Sequence, residues 1–170
     1  MNKEIYKQNI TALRNKYPAW ANIIKNRHKK KNIDVIVEKS VTGDTILKVK
    51  KNGKILYLNG KYAPDEVGKQ WIKKQGKIDA YATIVILGIS NGVHIKQIME
   101  SAPKTCNILI YEPSFELFRR EMEEVDLSFL FAMDIPVGIV IEGLNENELS
   151  AYINICLLYT SDAADEARSV

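Results

Sequence analysis

The stretch that decides the fold is Ala82–Glu112, ATIVILGISNGVHIKQIMESAPKTCNILIYE. Its opening run, Ala82–Gly88, is continuously apolar and rich in β-branched side chains, the pattern of a strand buried on both faces of a parallel sheet. Glycine ends the run. Gly88-Ile-Ser90-Asn91-Gly92 then turns the chain, and Val93, Ile95, Ile98 and Met99 recur at helical spacing with Lys96, Gln97 and Glu100 on the opposite side. A second strand, Asn107–Glu112, closes the stretch on an acid. Parallel strands joined by a helix cross over right-handed, so the glycine turn and Glu112 are expected side by side at the carboxyl edge of the sheet. Ligands of such folds bind at that edge.

Working outward toward the C-terminus, Pro113 and Ser114 break the second strand and open another helix. Phe115, Leu117, Phe118 and Met122 form its apolar side, and Arg119, Arg120, Glu121, Glu123 and Glu124 its expected wet side. Asp126 can cap a short helical turn through Leu127, Phe129, Leu130 and Phe131. Pro136–Glu142 reads as a third buried strand, and a further helix begins at Asn145. The β-α-β-α-β order is the first half of a doubly wound, Rossmann-like sheet.

Toward the N-terminus the period changes. Asn2 is placed to cap a first helix carrying Ile5, Tyr6, Asn9, Ile10, Leu13 and Tyr17, and Pro18 to open a second one that buries Trp20, Ile23 and Ile24. Asn26–Asn32 is a polar exit loop, and His28 within it is read as solvated. Ile33–Glu38, Thr45–Lys50 and Lys54–Asn59 are short β segments. Asn52-Gly53 supplies the positive φ angles of a tight hairpin, and Thr42-Gly43-Asp44 a second turn. Pro64, Asp65 and Glu66 then suit the first turn of a helix with Val67, Trp71 and Ile72 facing inward, ended by Gly76. The expected architecture is therefore α+β followed by α/β. Residues 1–63 form the helical and β-meander part, and 64–155 the Rossmann-like part with parallel strands.

The last residues differ in kind. Ile, Lys and Asn supply 54 of the first 155 residues but none of the last 14, and Cys156–Glu166 resembles a translated sequencing adapter. Residues 156–170 are accordingly read as a non-native tail to which no function is assigned.

Composition narrows the class. An apolar share of 46% and a charged share of 26% are those of a soluble globular protein. No apolar run approaches the roughly 20 residues of a membrane helix, and the first thirty residues are too polar for a signal peptide. A cytoplasmic location without membrane contact is expected. Cys106 and Cys156 fit neither a metal-ligand spacing nor a disulfide framework, and Cys106 reads as a small buried hydrophobe. Residues 1–77 carry 19 basic and 6 acidic side chains, the remainder 5 basic and 15 acidic. The basic half could face nucleic acid or an acidic partner. Its lysines are scattered, with few arginines and no interleaved aromatics, so we read a solvated face and no nucleic-acid partner.

Chemically, a glycine turn at a helix mouth presents backbone N–H groups and the positive dipole end, which favours an anion. An acid ending the next strand can accept hydrogen bonds from ribose hydroxyls, and Glu112 follows Gly88 by 24 residues, near the usual spacing of about 20. Gly88, Ser90, Asn91, Gly92, His94 and Glu112 are the candidate ligand-binding residues. The alternative is that the two glycines serve only a tight strand-to-helix turn, with His94 hydrogen-bonded to it. The spacings yield no catalytic set and no metal cluster.

Tyr57-Leu-Asn-Gly-Lys-Tyr62-Ala-Pro64-Asp-Glu with Trp71 resembles the signature that ends the β meander in motility accessory factor (Maf) proteins, the flagellin glycosyltransferases. Their next strand runs into a glycine-rich turn ending Gly-Tyr-His, similar to Gly92-Val93-His94 here, with Ser90 standing at a family glycine. Their following strand closes with Glu-Pro and an amphipathic helix, as in Glu112-Pro113-Ser114-Phe115. The resemblance implies O-glycosylation of flagellin serines or threonines with a nonulosonic acid from a CMP-activated donor. It implies that this chemistry belongs to a downstream catalytic domain, so that residues 1–155 bind flagellin or assemble with that domain and need no cofactor themselves. Two other classes fit the motifs: a Rossmann-type enzyme such as an S-adenosylmethionine-dependent methyltransferase, and a non-enzymatic interaction domain.

Overall fold

A computed structural model describes residues 1–27, 33–132 and 137–154. His28, Pro136, the end of the last helix at Ile155 and the proposed foreign tail 156–170 lie outside the described residues. Helix α1, Lys3–Lys16, starts at Asn2, whose Oδ1 accepts the N–H groups of Glu4 and Ile5 at 3.2 and 3.3 Å. Pro18 opens α2, Pro18–Asn26, as expected. Strands β1 (Asp34–Lys39), β2 (Thr45–Lys51) and β3 (Lys54–Tyr57) then form an antiparallel meander. Asn52 and Gly53 take φ values of +51° and +75°, which makes the β2–β3 turn the mirror-image hairpin that this dipeptide favours.

Helix α3, Pro64–Gln75, leads into the parallel unit of β4 (Thr83–Leu87), α4 (Val93–Ser101), β5 (Asn107–Glu112), α5 (Phe115–Glu124), α6 (Ser128–Phe131) and β6 (Val137–Ile141). The sheet order is β4-β5-β6, with Ile86 opposite Ile110 and Ile110 opposite Ile139. Two right-handed crossovers stepping the same way put α4 and α5 on one face. On that face Ile86, Ile110 and Ile139 meet Ile95, Ile98, Phe118 and Met122 in a core that extends to Leu13, Ile24 and Leu47. The meander and the parallel unit thus share one core. On the other face the Tyr152 ring, in the helical stretch 149–154, lies so close over Gly138 that an added Cβ would sit 2.6 Å from it.

Four expectations are corrected. Among the described residues strand β4 is at the sheet edge, and Val85 and Leu87 are 57% and 77% exposed, so it is not covered on both faces. In α3, Val67 and Trp71 face outward, and Ile72 alone of the three packs on the core. The reason is that α3 rests on α4 through Gly68, above a buried Gln97 whose amide donates to Asp65 O at 2.8 Å and Oδ1 at 2.7 Å. Gln97 is therefore not on a wet side. Arg119, Glu121 and Glu123 of α5 are also buried: Glu121 lies on the apolar stripe against the glycine turn, and α1 packs along the flank that a one-sided apolar stripe leaves to solvent.

The α1–α5 contact depends on Asn9, which is fully buried. Its Nδ2 donates to Met122 O at 2.9 Å and Val125 O at 2.6 Å, and its Oδ1 accepts Leu127 N–H at 2.8 Å. Asn9→Ala strands three buried backbone groups and should cost about 3 kcal/mol in urea unfolding. A loss below about 1 kcal/mol would show that α1 is held by its apolar residues alone.

Candidate functional site

The glycine turn is built from left-handed backbone. Gly88, Ser90 and Gly92 have φ values of +84°, +56° and +72°, and only the serine is strained by this. What holds it is a set of side chains. Ile89 N–H donates to Glu112 Oε2 at 2.9 Å and Ser90 N–H to Glu121 Oε1 at 2.7 Å. Ser114 N–H donates to Glu112 Oε1 at 3.2 Å. The turn and Glu112 are side by side at the carboxyl edge as expected, but the N–H groups of Ile89 and Ser90 are occupied by the protein's own acids. Glu112 is wholly buried, and each of its oxygens holds a backbone N–H.

The side chains of Ser90 and Asn91 face the meander. Ser90 Oγ donates to Asn59 Oδ1 at 2.7 Å and Asn59 Nδ2 to Asn91 Oδ1 at 2.7 Å, while Asn91 Nδ2 reaches Thr45 O at 3.2 Å. A glycine at position 90 would lose the Asn59 bond. Gly92 also serves packing, since a Cβ there would come within 3.0 Å of Leu127 and 3.2 Å of the Phe129 ring. His94 Nε2 lies 3.3 Å from Gly88 O, and burial pushes its pKa down. The neutral ring with hydrogen on Nε2 ties helix to turn.

Beside the turn is a cleft of about 630 Å³, within the usual size for small-ligand sites. Gly88, Ser90, Asn91, Val93 and His94 form one side, and Tyr111, Glu112, Pro113, Leu117 and Glu121 the inner end. Pro64, Val67, Gly68 and Trp71 of α3 face them, with Leu87 and the meander exit Leu58-Asn59-Gly60 completing the wall. Of the family-motif residues, Pro64, Trp71 and Pro113 are in this wall. Tyr57 and Tyr62 are not: the Tyr57 ring lies 4.5 Å from Lys48 Nζ, and Tyr62 is exposed.

Sequence reasoning missed Glu121 and Asn59. Glu121 stands four residues after Leu117 and three after Phe118, which places it on the apolar stripe rather than opposite it. That spacing was the available signal. Asn59 had none, because its partners are 12, 31 and 32 residues away. No group of three or more His, Cys, Asp and Glu residues placed to hold a metal occurs among the described residues. No helix among them is long and apolar enough to cross a membrane. Cys106 is buried, with Sγ 3.4 Å from Asp79 O.

The electrostatics follow from burial. Desolvation pushes the Glu112 pKa up to about 7, against the two N–H bonds that pull it down. Glu121 is raised well above the carboxylate range by desolvation first and by the Glu112 charge second, with Ser90 N–H opposing. Comparison with family models, with curated protein sequences and with solved structures finds no match to this chain.

Both acids hold protons more tightly folded than unfolded, so their folding takes up protons and stability falls as pH rises above about 4.5, for Glu112 through about 7. His94 acts oppositely, adding stability as pH rises toward its ordinary 6.5. Denaturation between pH 5 and 8 should show a net decline, bounded by about 1.4 kcal/mol per pH unit for each acid. Glu112→Gln should flatten that decline; an unchanged slope would mean that Glu112 ionises normally.

Proposed function

We propose that this chain is the N-terminal region of a Maf-like flagellin glycosyltransferase, with a binding or assembly role and no transfer chemistry of its own. The observation that supports this is the convergence of separate family-like segments on one cleft. Pro64 and Trp71 come from the segment after the meander, Gly88 and His94 from the glycine turn, and Glu112 and Pro113 from the next strand end. The donor implied by the family, a CMP-activated nonulosonic acid, is an anion. A cleft walled by two acids, with the turn's N–H groups at Ile89 and Ser90 occupied, disfavours it. Donor chemistry therefore belongs in a downstream catalytic domain, and this region binds flagellin or seats that domain. Exposed apolar residues on the meander, Ile55, Leu56 and Tyr57, and on the edge strand, Val85 and Leu87, suit such assembly.

The methyltransferase reading requires Glu112 to offer its oxygens to a ribose, and both already hold backbone N–H groups. Capture of flagellin by the immobilised chain, alongside calorimetry with CMP and S-adenosylhomocysteine, tests the proposal. Flagellin should be retained, and Trp71→Ala should weaken retention at least about fivefold, as for an aromatic anchor. Tight binding of S-adenosylhomocysteine that Glu112→Ala abolishes would replace the glycosyltransferase reading with the methyltransferase one.

A further inference from the structure

Glu121 is fully buried in the cleft wall, and its two oxygens are treated differently. Oε1 holds Ser90 N–H, whereas Oε2 is buried and meets no hydrogen-bond partner in the described structure. Buried carboxylate oxygens are ordinarily paired, so an orphan one in the wall of a cleft lacks a donor. The described residues lining the cleft include no Lys or Arg, and burial favours the neutral form of the one histidine against the opposing pull of the turn carbonyl. Facing the acids, Pro64, Val67, Trp71 and Leu87 offer apolar surface, much of it exposed.

We propose that this cleft binds a small primary amine, its ammonium group donating to Glu121 Oε2 and its apolar body lying against Val67 and Trp71. An ammonium supplies three donors and no acceptor, which matches a buried carboxylate oxygen that lacks a donor. A carboxylate or phosphate supplies no donor to that oxygen and would further oppose the ionisation of both acids. An alcohol supplies a donor without the charge that strengthens the bond. Because burial favours the protonated form of Glu121, an entering ammonium shifts it to the charged form and binding releases a proton to the buffer. The inference rests on the cleft being a binding site, not on flagellin being the partner. Flagellin capture and amine binding are measured separately and can fail separately.

The test is calorimetry of the whole chain at neutral pH with three probes of one shape: phenethylamine, 2-phenylethanol and 3-phenylpropionate. Phenethylamine should bind about tenfold more tightly than the alcohol, as expected for a charge-assisted bond. The carboxylate should not bind, and the amine's apparent enthalpy should vary with the buffer's ionisation enthalpy. Glu121→Gln should abolish the preference of amine over alcohol. Trp71→Ala, at an exposed position that leaves the core intact, should weaken both and decides the matter if Glu121→Gln does not fold. Failure of the amine to bind, equal binding of the three probes, preference for the carboxylate, an unchanged preference in Glu121→Gln, or unchanged affinities in Trp71→Ala would overturn the proposal.

Discussion

Two hydrogen bonds hold the centre of this molecule: Ile89 N–H to Glu112 and Ser90 N–H to Glu121. Each joins the left-handed turn after β4 to a different later element, the end of β5 and the middle of α5. Burying two carboxyl groups so close together is unfavourable by itself. The cost is offset in part because the groups they meet are backbone donors beside the positive end of α4, which otherwise lack partners. The pair therefore fixes the start of α4 against the sheet edge and sets how deep α5 sits. It also reverses the electrostatic character of the place. A turn whose shape invites an anion is filled from inside by the protein's own acids.

The same turn fastens the two halves of the fold together. Asn59, just past β3, accepts the Ser90 hydroxyl and donates to Asn91, which in turn reaches the carbonyl of Thr45 on β2. These bonds place the meander exit against the turn, and α3 leaves from there to lie along α4. Hence Leu47 joins the core of the parallel sheet, while Pro64 and Gly68 are buried where α3 meets its neighbours. The cleft is the space left between α3 and the glycine turn. Its position follows from a hydroxyl and two amides that look, in the sequence, like ordinary loop chemistry.

Much of the fold was legible because local chemistry determined it. Asn52-Gly53, Pro18, Pro64, Gly76 and the Asn2 cap each act within a few residues, and each marks its boundary as expected. The pairing of the glycine turn with Glu112 was legible for a different reason, since the handedness of a βαβ crossover is nearly invariant. What could not be read was which faces neighbours would cover. Apolar spacing in α5 indicates one buried side, but α1 closes over another, and Arg119 and Glu123 become interior along with Glu121, which the stripe itself buries against the turn. In α3 the reverse holds, and Val67 and Trp71 are left outside. For the site, Gly88, His94 and Glu112 were placed correctly at one edge, yet their spacing says nothing of what fills the hydrogen bonds there. That depended on Glu121 and Asn59, whose contacts are remote in sequence.

Topology explains why the cleft is acidic within and apolar without. With the strands in sequential order, β4 has no neighbouring strand on its outer side among the described residues, and both crossover helices lie on one face. Leu87 at the end of that edge strand stays exposed beside the turn. Helix α3 rests on α4 through Gly68 and through Asp65, which accepts from Gln97, while Val67 and Trp71 remain on its free side. The acids come from the opposite direction, from the end of the central strand and from a helix pressed between the sheet and α1. An apolar outer wall and a buried acidic inner end are thus consequences of strand order and of two helix contacts. Together they make a cleft that suits a ligand with an apolar body and a donor at its tip.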